Sequence, residues 1–155
     1  MTNKTRIAVA GAGLIGKRHI DLAAKSQRGQ LSAIVDPAPA AIEVALSYNV
    51  PLYSSFKQIR SKKPDTPIVL VEDRRNTNSW ILPARDAHHT DNHAALKNAF
   101  EMLQSESVHN LLYIRGDNLY GTDGDGATDG SHANDLGFFR QADVFEPVLR
   151  KALGR

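Results

Sequence analysis

The chain has 155 residues, a formal net charge of +2 and no cysteine. This length predicts a single domain with its own core, and the scattered basic residues exclude a nucleic-acid-binding stripe. The missing cysteines exclude disulfides, thiolate metal sites and cysteine nucleophiles. Because no secretion signal or membrane-spanning run is evident, we expect a cytoplasmic, soluble monomer or weak dimer without a membrane partner.

A glycine-rich turn follows the first apolar run of the chain. Residues 7–10 read Ile-Ala-Val-Ala, which suits a strand buried on both faces, and a helical pattern follows the turn. In dinucleotide-binding turns the first glycine permits a tight turn, the second admits a pyrophosphate, and the third lets the helix pack closely. The predicted cofactor-binding residues of this turn are Gly11, Gly13, Leu14, Ile15 and Gly16.

A carboxylate supports this interpretation of the turn. Asp36 ends the second apolar run, 20 residues after Gly16, which is the offset at which an acidic side chain binds an adenosine ribose. A carboxylate there disfavours a 2′-phosphate and so favours NAD over NADP. The alternative is an ordinary βαβ unit, in which the glycines serve only packing and Asp36 merely ends a strand.

Five strands alternate with five helices along the chain. This alternation predicts an α/β fold, a three-layer, doubly wound, five-stranded parallel sheet of Rossmann or flavodoxin type with strand order 3-2-1-4-5. A polar loop is expected over residues 73–89, and a loop rich in glycine and aspartate over residues 116–130. The strands are expected at residues 7–10, 31–36, 50–54, 67–72 and 111–114, and the helices near 15–26, 37–49, 56–62, from Thr90 or Asp91 past Leu103, and from Asp135.

Two helix faces carry further expectations. His89 and His93 have the i, i+4 spacing that can chelate zinc, but no third ligand is evident beside them or His88. We therefore predict no metal, and three exposed side chains at a solvated helix start.

The last helix is expected to kink or restart at Pro147 and to bury Phe138, Ala142, Phe145 and Leu149.

The N-terminal third of the chain resembles a known dehydrogenase family. Residues 7–19, 35–37 and 50–56 are similar to the nucleotide domain of the glucose-fructose oxidoreductase and inositol dehydrogenase family. The resemblance implies NAD over the glycine turn, with Asp36 on the adenosine ribose. The family's Glu-Lys-Pro motif, which carries its catalytic lysine, and its large substrate domain have no counterpart here.

The rest of the chain resembles a different family. Residues 64–72, 110–116 and 128–137 are similar to the C-terminal half of a serine hydrolase of the SGNH or GDSL esterase type. The resemblance implies that Asp129 and His132 are the acid and base of a catalytic triad. The Gly-Asp-Ser nucleophile strand and the oxyanion blocks are missing, and Ala133 replaces a usual proline. Ser54 or Ser55 could substitute for the serine only from the far edge of the sheet.

Each half lacks what its family needs for catalysis. The leading hypothesis is therefore an engineered chimera joined between Phe56 and Arg60, with a residual NAD(H) cradle and vestigial Asp129 and His132. Such a protein would not be an enzyme, and a dinucleotide would be its only partner. Two alternatives are an SGNH-type esterase that uses Asp129 and His132 with an unrecognised nucleophile, and a structural scaffold with both sites vestigial.

Overall fold

A computed structural model describes residues 4–62 and 64–154 of the protein. The chain forms two compact units, Met1–Pro64 and Asp65–Arg155, and each unit contains its own parallel sheet. The α/β class with parallel strands is therefore confirmed. The single domain over residues 1–155 and the pairing of the first strand with the fourth stay predictions.

The first unit alternates strands with helices from its first described residues. Its sheet has the order β1-β2-β3, with both strand pairs parallel, as expected for the 3-2-1 part of the predicted order. The elements are β1 (Thr5–Ala10), α1 (Leu14–Lys25), β2 (Gly29–Val35), α2 (Ala41–Ser47), β3 (Leu52–Tyr53) and α3 (Phe56–Lys62).

A small core holds the first unit together. Ile20 of α1 and Ile34 of β2 are fully buried. Alanines surround them and let the helices lie close to the sheet, because a methyl group adds little thickness. The strand β3 lies at the edge of this sheet, as Pro51 beside it predicts.

The second unit pairs two strands in one continuous register. Ile68 lies opposite Leu111, and the pairing runs to Val71 opposite Ile114. The ring centroids of Phe100 and Tyr113 are 5.0 Å apart, so the long helix packs on the second strand, as its apolar spacing predicts. The elements are β4 (Ile68–Val71), a short 3-10 helix (Ser79–Ile81), α4 (Pro83–Ser105), β5 (Leu111–Ile114) and α5 (Asp135–Ala152).

The helix α4 begins earlier than predicted. It starts at Pro83, whose fixed φ suits a first helical position, and not at Thr90 or Asp91. The side chain of Thr90 does not cap the helix, because its hydroxyl donates to the carbonyl of Asp86 in the preceding turn. Arg75 stabilises this first part of α4 through an ion pair with Asp86 at 2.9 Å. The predicted polar loop is therefore helical in its second half.

The helix α5 begins at Asp135, as predicted, and its buried face differs from the predicted one. The side chain of Asn134 caps it by accepting from the N–H of Gly137 at 2.9 Å, and the helix continues through Pro147. Phe138 is 63% exposed and Leu149 is 45% exposed, so their predicted burial is wrong. The less exposed face runs through Gly137, Gln141, Val144 and Val148, because Gly137 lies directly against the backbone of Gly126.

Within the described ranges, no helix combines the length and the apolar character that crossing a membrane requires.

Candidate functional site

A short turn brings Asp129 and His132 together, and we call residues 129–132 the dyad loop. The Nδ1 atom of His132 lies 2.7 Å from Oδ2 of Asp129. The other carboxylate oxygen, Oδ1, accepts the backbone N–H groups of Ser131 at 2.9 Å and His132 at 2.8 Å. Gly130 has a φ of +85°, which permits this tight turn. The structure therefore brings together the two residues that the hydrolase resemblance pairs.

The electrostatics of the loop suit a base and its orienting acid. The backbone N–H and the imidazole of His132, with the N–H of Ser131, hold the pKa of Asp129 well below its usual range. Asp129 is therefore a carboxylate at neutral pH and accepts the Nδ1–H of His132. This tautomer leaves Nε2 free to accept a proton. The side chain of His132 is 82% exposed, so an ester in solution can reach Nε2.

Backbone and side-chain contacts fasten the dyad loop to the rest of the second unit. The N–H of Thr77 donates to the carbonyl of Gly130 at 2.9 Å, and the hydroxyl of Tyr120 donates to the carbonyl of Ser131 at 2.8 Å. The N–H of Thr128 donates to the carbonyl of His132 at 2.9 Å. The loop is consequently held at three successive carbonyls although the side chain of His132 faces solvent.

A buried polar cluster that the sequence pattern did not reveal lies next to the groups that hold the dyad loop. His89 is 4% exposed and His93 is 9% exposed, so the predicted exposure of these histidines is wrong. Because α4 starts at Pro83, their i, i+4 spacing places both rings against Asp73. Nδ1 of His89 lies 3.0 Å from Oδ2 of Asp73, and Nε2 of His93 lies 2.6 Å from its carbonyl oxygen.

The i, i+4 spacing of the two histidines therefore brings both rings to one shared partner, Asp73. Among the residues that the structure describes, no group of histidine, aspartate and glutamate side chains is arranged to hold a metal ion.

Glu72 joins the ends of the two strands of the second unit. It is 7% exposed and accepts the hydroxyl of Tyr113 at 2.7 Å and the N–H of Gly116 at 2.8 Å. Burial and this contact with Glu72 raise the pKa of Tyr113 to about 12. A Cβ on Gly116 would overlap the carbonyl oxygen of Asp73, so only glycine fits at this junction. This pair of strand ends is a rigid base for the loop that leads to Asp129.

The glycine turn of the first unit has a structural explanation that involves no ligand. Gly11 has a φ of +92°, and a Cβ on Gly16 would overlap the carbonyl oxygen of Gly11. The carboxylate of Asp36 accepts the N–H of Ala12 at 2.6 Å and that of Ala38 at 2.7 Å, and these bonds lower its pKa. A Cβ placed on Gly13 would meet no atom within 4 Å beyond its neighbours in the chain.

The other two residues of the predicted cofactor site begin α1. Leu14 is 89% exposed and Ile15 is 67% exposed.

The model of the GDSL-like Lipase/Acylhydrolase family matches residues 6–150. The chain belongs to this family. A crystal structure described as that of a GDSL-like lipase from Bacteroides ovatus is similar to this chain with a TM-score of 0.66 and 21% sequence identity. The likeness covers 99% of this chain and 55% of that protein, so the chain spans about half of its length. No curated protein matches the chain.

The family match corrects the leading hypothesis. It runs without interruption across residues 56–60, where the hypothesis placed a junction between two families. The chimera with a residual NAD cradle is therefore wrong, and no comparison supports the dehydrogenase resemblance. The findings favour the alternative, a hydrolase of the SGNH type.

The glycine turn has the sequence Gly11-Ala12-Gly13-Leu14 and contains no serine or threonine. The turn itself therefore offers no nucleophilic hydroxyl.

Proposed function

We propose that this chain acts as an SGNH-type acylhydrolase on carboxylic esters, with Asp129 and His132 as its acid–base pair. The 2.7 Å contact between Oδ2 of Asp129 and Nδ1 of His132 carries the proposal. It combines an ionised, fully hydrogen-bonded carboxylate with an imidazole whose Nε2 faces solvent. Membership of a lipase and acylhydrolase family supports ester hydrolysis as the reaction.

In the proposed reaction, His132 acts first as a base and then as an acid. Its Nε2 takes the proton of an attacking hydroxyl, whose oxygen forms a bond to the ester carbonyl carbon. The tetrahedral intermediate then collapses, the bond to the alcohol oxygen breaks, and the same proton passes from Nε2 to the leaving alkoxide. Asp129 remains a carboxylate throughout and stabilises the imidazolium.

Serine hydroxyls are the candidate nucleophiles of the proposed reaction. Ser54 and Ser55 are exposed at the end of β3, and the hydroxyl of Ser55 accepts the N–H of Gln58 at 3.3 Å. Within residues 4–62 and 64–154, no serine or threonine hydroxyl is hydrogen bonded to His132. A fluorophosphonate probe, followed by peptide mapping, would locate a nucleophilic serine. Turnover without labelling would indicate water as the nucleophile.

Hydrolysis of p-nitrophenyl acetate tests the proposal. His132→Ala should lower kcat/KM by about 10²-fold or more, because it removes the general base. His109→Ala is the matched control, since His109 is also exposed and its loss likewise removes one imidazole from the surface. Asp129→Asn should lower the rate as well, because the amide oxygen would take the place of Oδ1 as acceptor of the two backbone N–H groups, and the NH2 group left beside Nδ1 cannot accept its proton.

The control variant decides between hydrolysis by a site and hydrolysis by surface imidazoles. If His132→Ala and His109→Ala lower the rate equally, the proposal fails. A folded protein that is silent in this assay would instead support the alternative of a structural scaffold.

A further inference from the structure

Arg74 connects the dyad loop to the buried cluster. Its Nη2 donates to the hydroxyl of Ser131 at 2.8 Å, and its Nε and Nη2 each lie 3.3 Å from the carbonyl oxygen of Ser131. Ser131 stands between the acid Asp129 and the base His132. One guanidinium therefore holds both the backbone and the side chain of the residue that separates the two members of the dyad.

Asp73 and His89 in turn hold the guanidinium of Arg74 in place. Its Nη1 donates to Oδ1 of Asp73, and the other oxygen of Asp73 lies 3.0 Å from Nδ1 of His89. The N–H of Asn76 donates to Nε2 of His89 at 3.3 Å, so the proton of a neutral His89 is on Nδ1 and is donated to Asp73. The hydrogen bonds thus form an unbroken series from the buried His89 of α4 to Ser131 of the dyad loop.

Arg74 and Asp73 carry opposite charges, and each shifts the pKa of the other. Hydrogen bonding to Asp73 raises the pKa of Arg74 further above its usual range. Burial by itself would raise the pKa of Asp73, but the hydrogen bond and charge of Arg74 outweigh it and lower that pKa. A guanidinium donates in a planar fork, which a lysine ammonium cannot reproduce.

We propose that Arg74 is a positioning residue for His132, acting through Ser131. The catalytic part of this inference rests on the proposed hydrolase function. The structural part, that Arg74 holds the dyad loop in place, is independent of that function. Small displacements of a catalytic group can lower a rate by about 10²-fold, so an unanchored loop would slow the reaction strongly.

Two readouts on the full chain test the proposal. The first is independent of activity: hydrogen exchange at the amides of Ser131 and His132, which donate to Asp129. In Arg74→Ala these amides should exchange about tenfold faster or more, while the amides of β1 and β2 keep their rates. Arg150→Ala is the matched control, because Arg150 pairs with Glu146 on the exposed side of α5.

The second readout is hydrolysis of p-nitrophenyl acetate. Arg74→Ala should lower kcat by about 10-fold to 10²-fold with little change in KM, because the proposed role of Arg74 is to hold the dyad loop and not to bind the substrate. Guanidinium chloride at about 50 mM should restore part of the lost rate in Arg74→Ala and leave the rate of Arg150→Ala unchanged, since only in Arg74→Ala does the vacated position lie beside Asp73 and Ser131. A general loss of structure would not respond in this way.

A conservative variant keeps the test valid if Arg74→Ala fails to fold. Arg74→Lys retains the charge beside Asp73 but loses the fork that reaches Ser131, so it should fold and still show faster exchange at Ser131 and His132. Unchanged exchange at both amides in a folded variant would overturn the proposal, whether or not the protein hydrolyses esters. Faster exchange in a protein without hydrolytic activity would support the positioning role and refute the proposed function.

Discussion

The Nδ1–H of His89 donates to Oδ2 of Asp73 over 3.0 Å, and almost none of the histidine is exposed. Burial lowers the pKa of His89, although the charge of Asp73 partly opposes that effect. Because the N–H of Asn76 donates to Nε2, the ring between Asn76 and Asp73 is a neutral imidazole. Protonation would add charge to a buried ring whose Nε2 must stay an acceptor.

We expect the free energy of unfolding to fall as the pH is lowered from 7 to 5. Below pH 6.5, the ordinary pKa of histidine, the unfolded chain binds a proton at His89 that the folded chain resists, so stability is lost in acid. Urea unfolding at both pH values measures this loss. His89→Asn should cost about 1–3 kcal/mol at pH 7, because it removes a buried hydrogen-bonding partner, and should reduce the pH dependence.

His88→Asn is the control for that experiment, since His88 is the exposed neighbour of His89. It should keep the pH dependence of the original protein. An equal slope of stability against pH for His89→Asn and the original protein would contradict the assignment.

The glycine turn provides a matched pair of substitutions. Gly16→Ala should lower the stability of the first unit by about 1–3 kcal/mol, because its Cβ would overlap the carbonyl oxygen of Gly11. Gly13→Ser should change stability by only about 0.5 kcal/mol or less, because Gly13 is the N-cap of α1 with open space around it. Thermal unfolding compares the two. Equal destabilisation would show that the steric argument is wrong.

Tyr113 should ionise late in an alkaline titration. Its pKa of about 12 means that the hydroxyl still donates to Glu72 when an unfolded tyrosine would have ionised at pH 10. Because the folded pKa is the higher one, the stability it contributes is present below pH 10 and is lost as the pH rises towards 12.

Absorbance at 295 nm during an alkaline titration follows the ionisation of Tyr113. Tyr113→Phe should remove the latest phase and cost about 1 kcal/mol at pH 7, because Glu72 loses one hydrogen bond. A late phase that survives in Tyr113→Phe would assign it to another tyrosine.

The dehydrogenase interpretation failed for a physical reason. Gly11 has a positive φ and Gly16 lies in close contact with the preceding turn, and both features follow from the direct turn of β1 into α1. Asp36 at the expected offset bonds to the turn itself through Ala12. The same residues therefore satisfy a dinucleotide fingerprint and a turn that is held by its own carboxylate.

Local pattern by itself determined the α/β class, the strand over Leu111–Ile114 and the start of α5, and the resemblance of residues 128–137 to a hydrolase family identified Asp129 and His132 as a pair. These features depend on neighbours in the chain, whose spacing the sequence records. Only the tertiary structure decided which face of α5 is buried, that His89 and His93 are inside, and that Arg74 reaches Ser131, 57 residues away. Such contacts join distant segments, and no local periodicity specifies which polar side chains will meet when those segments pack together.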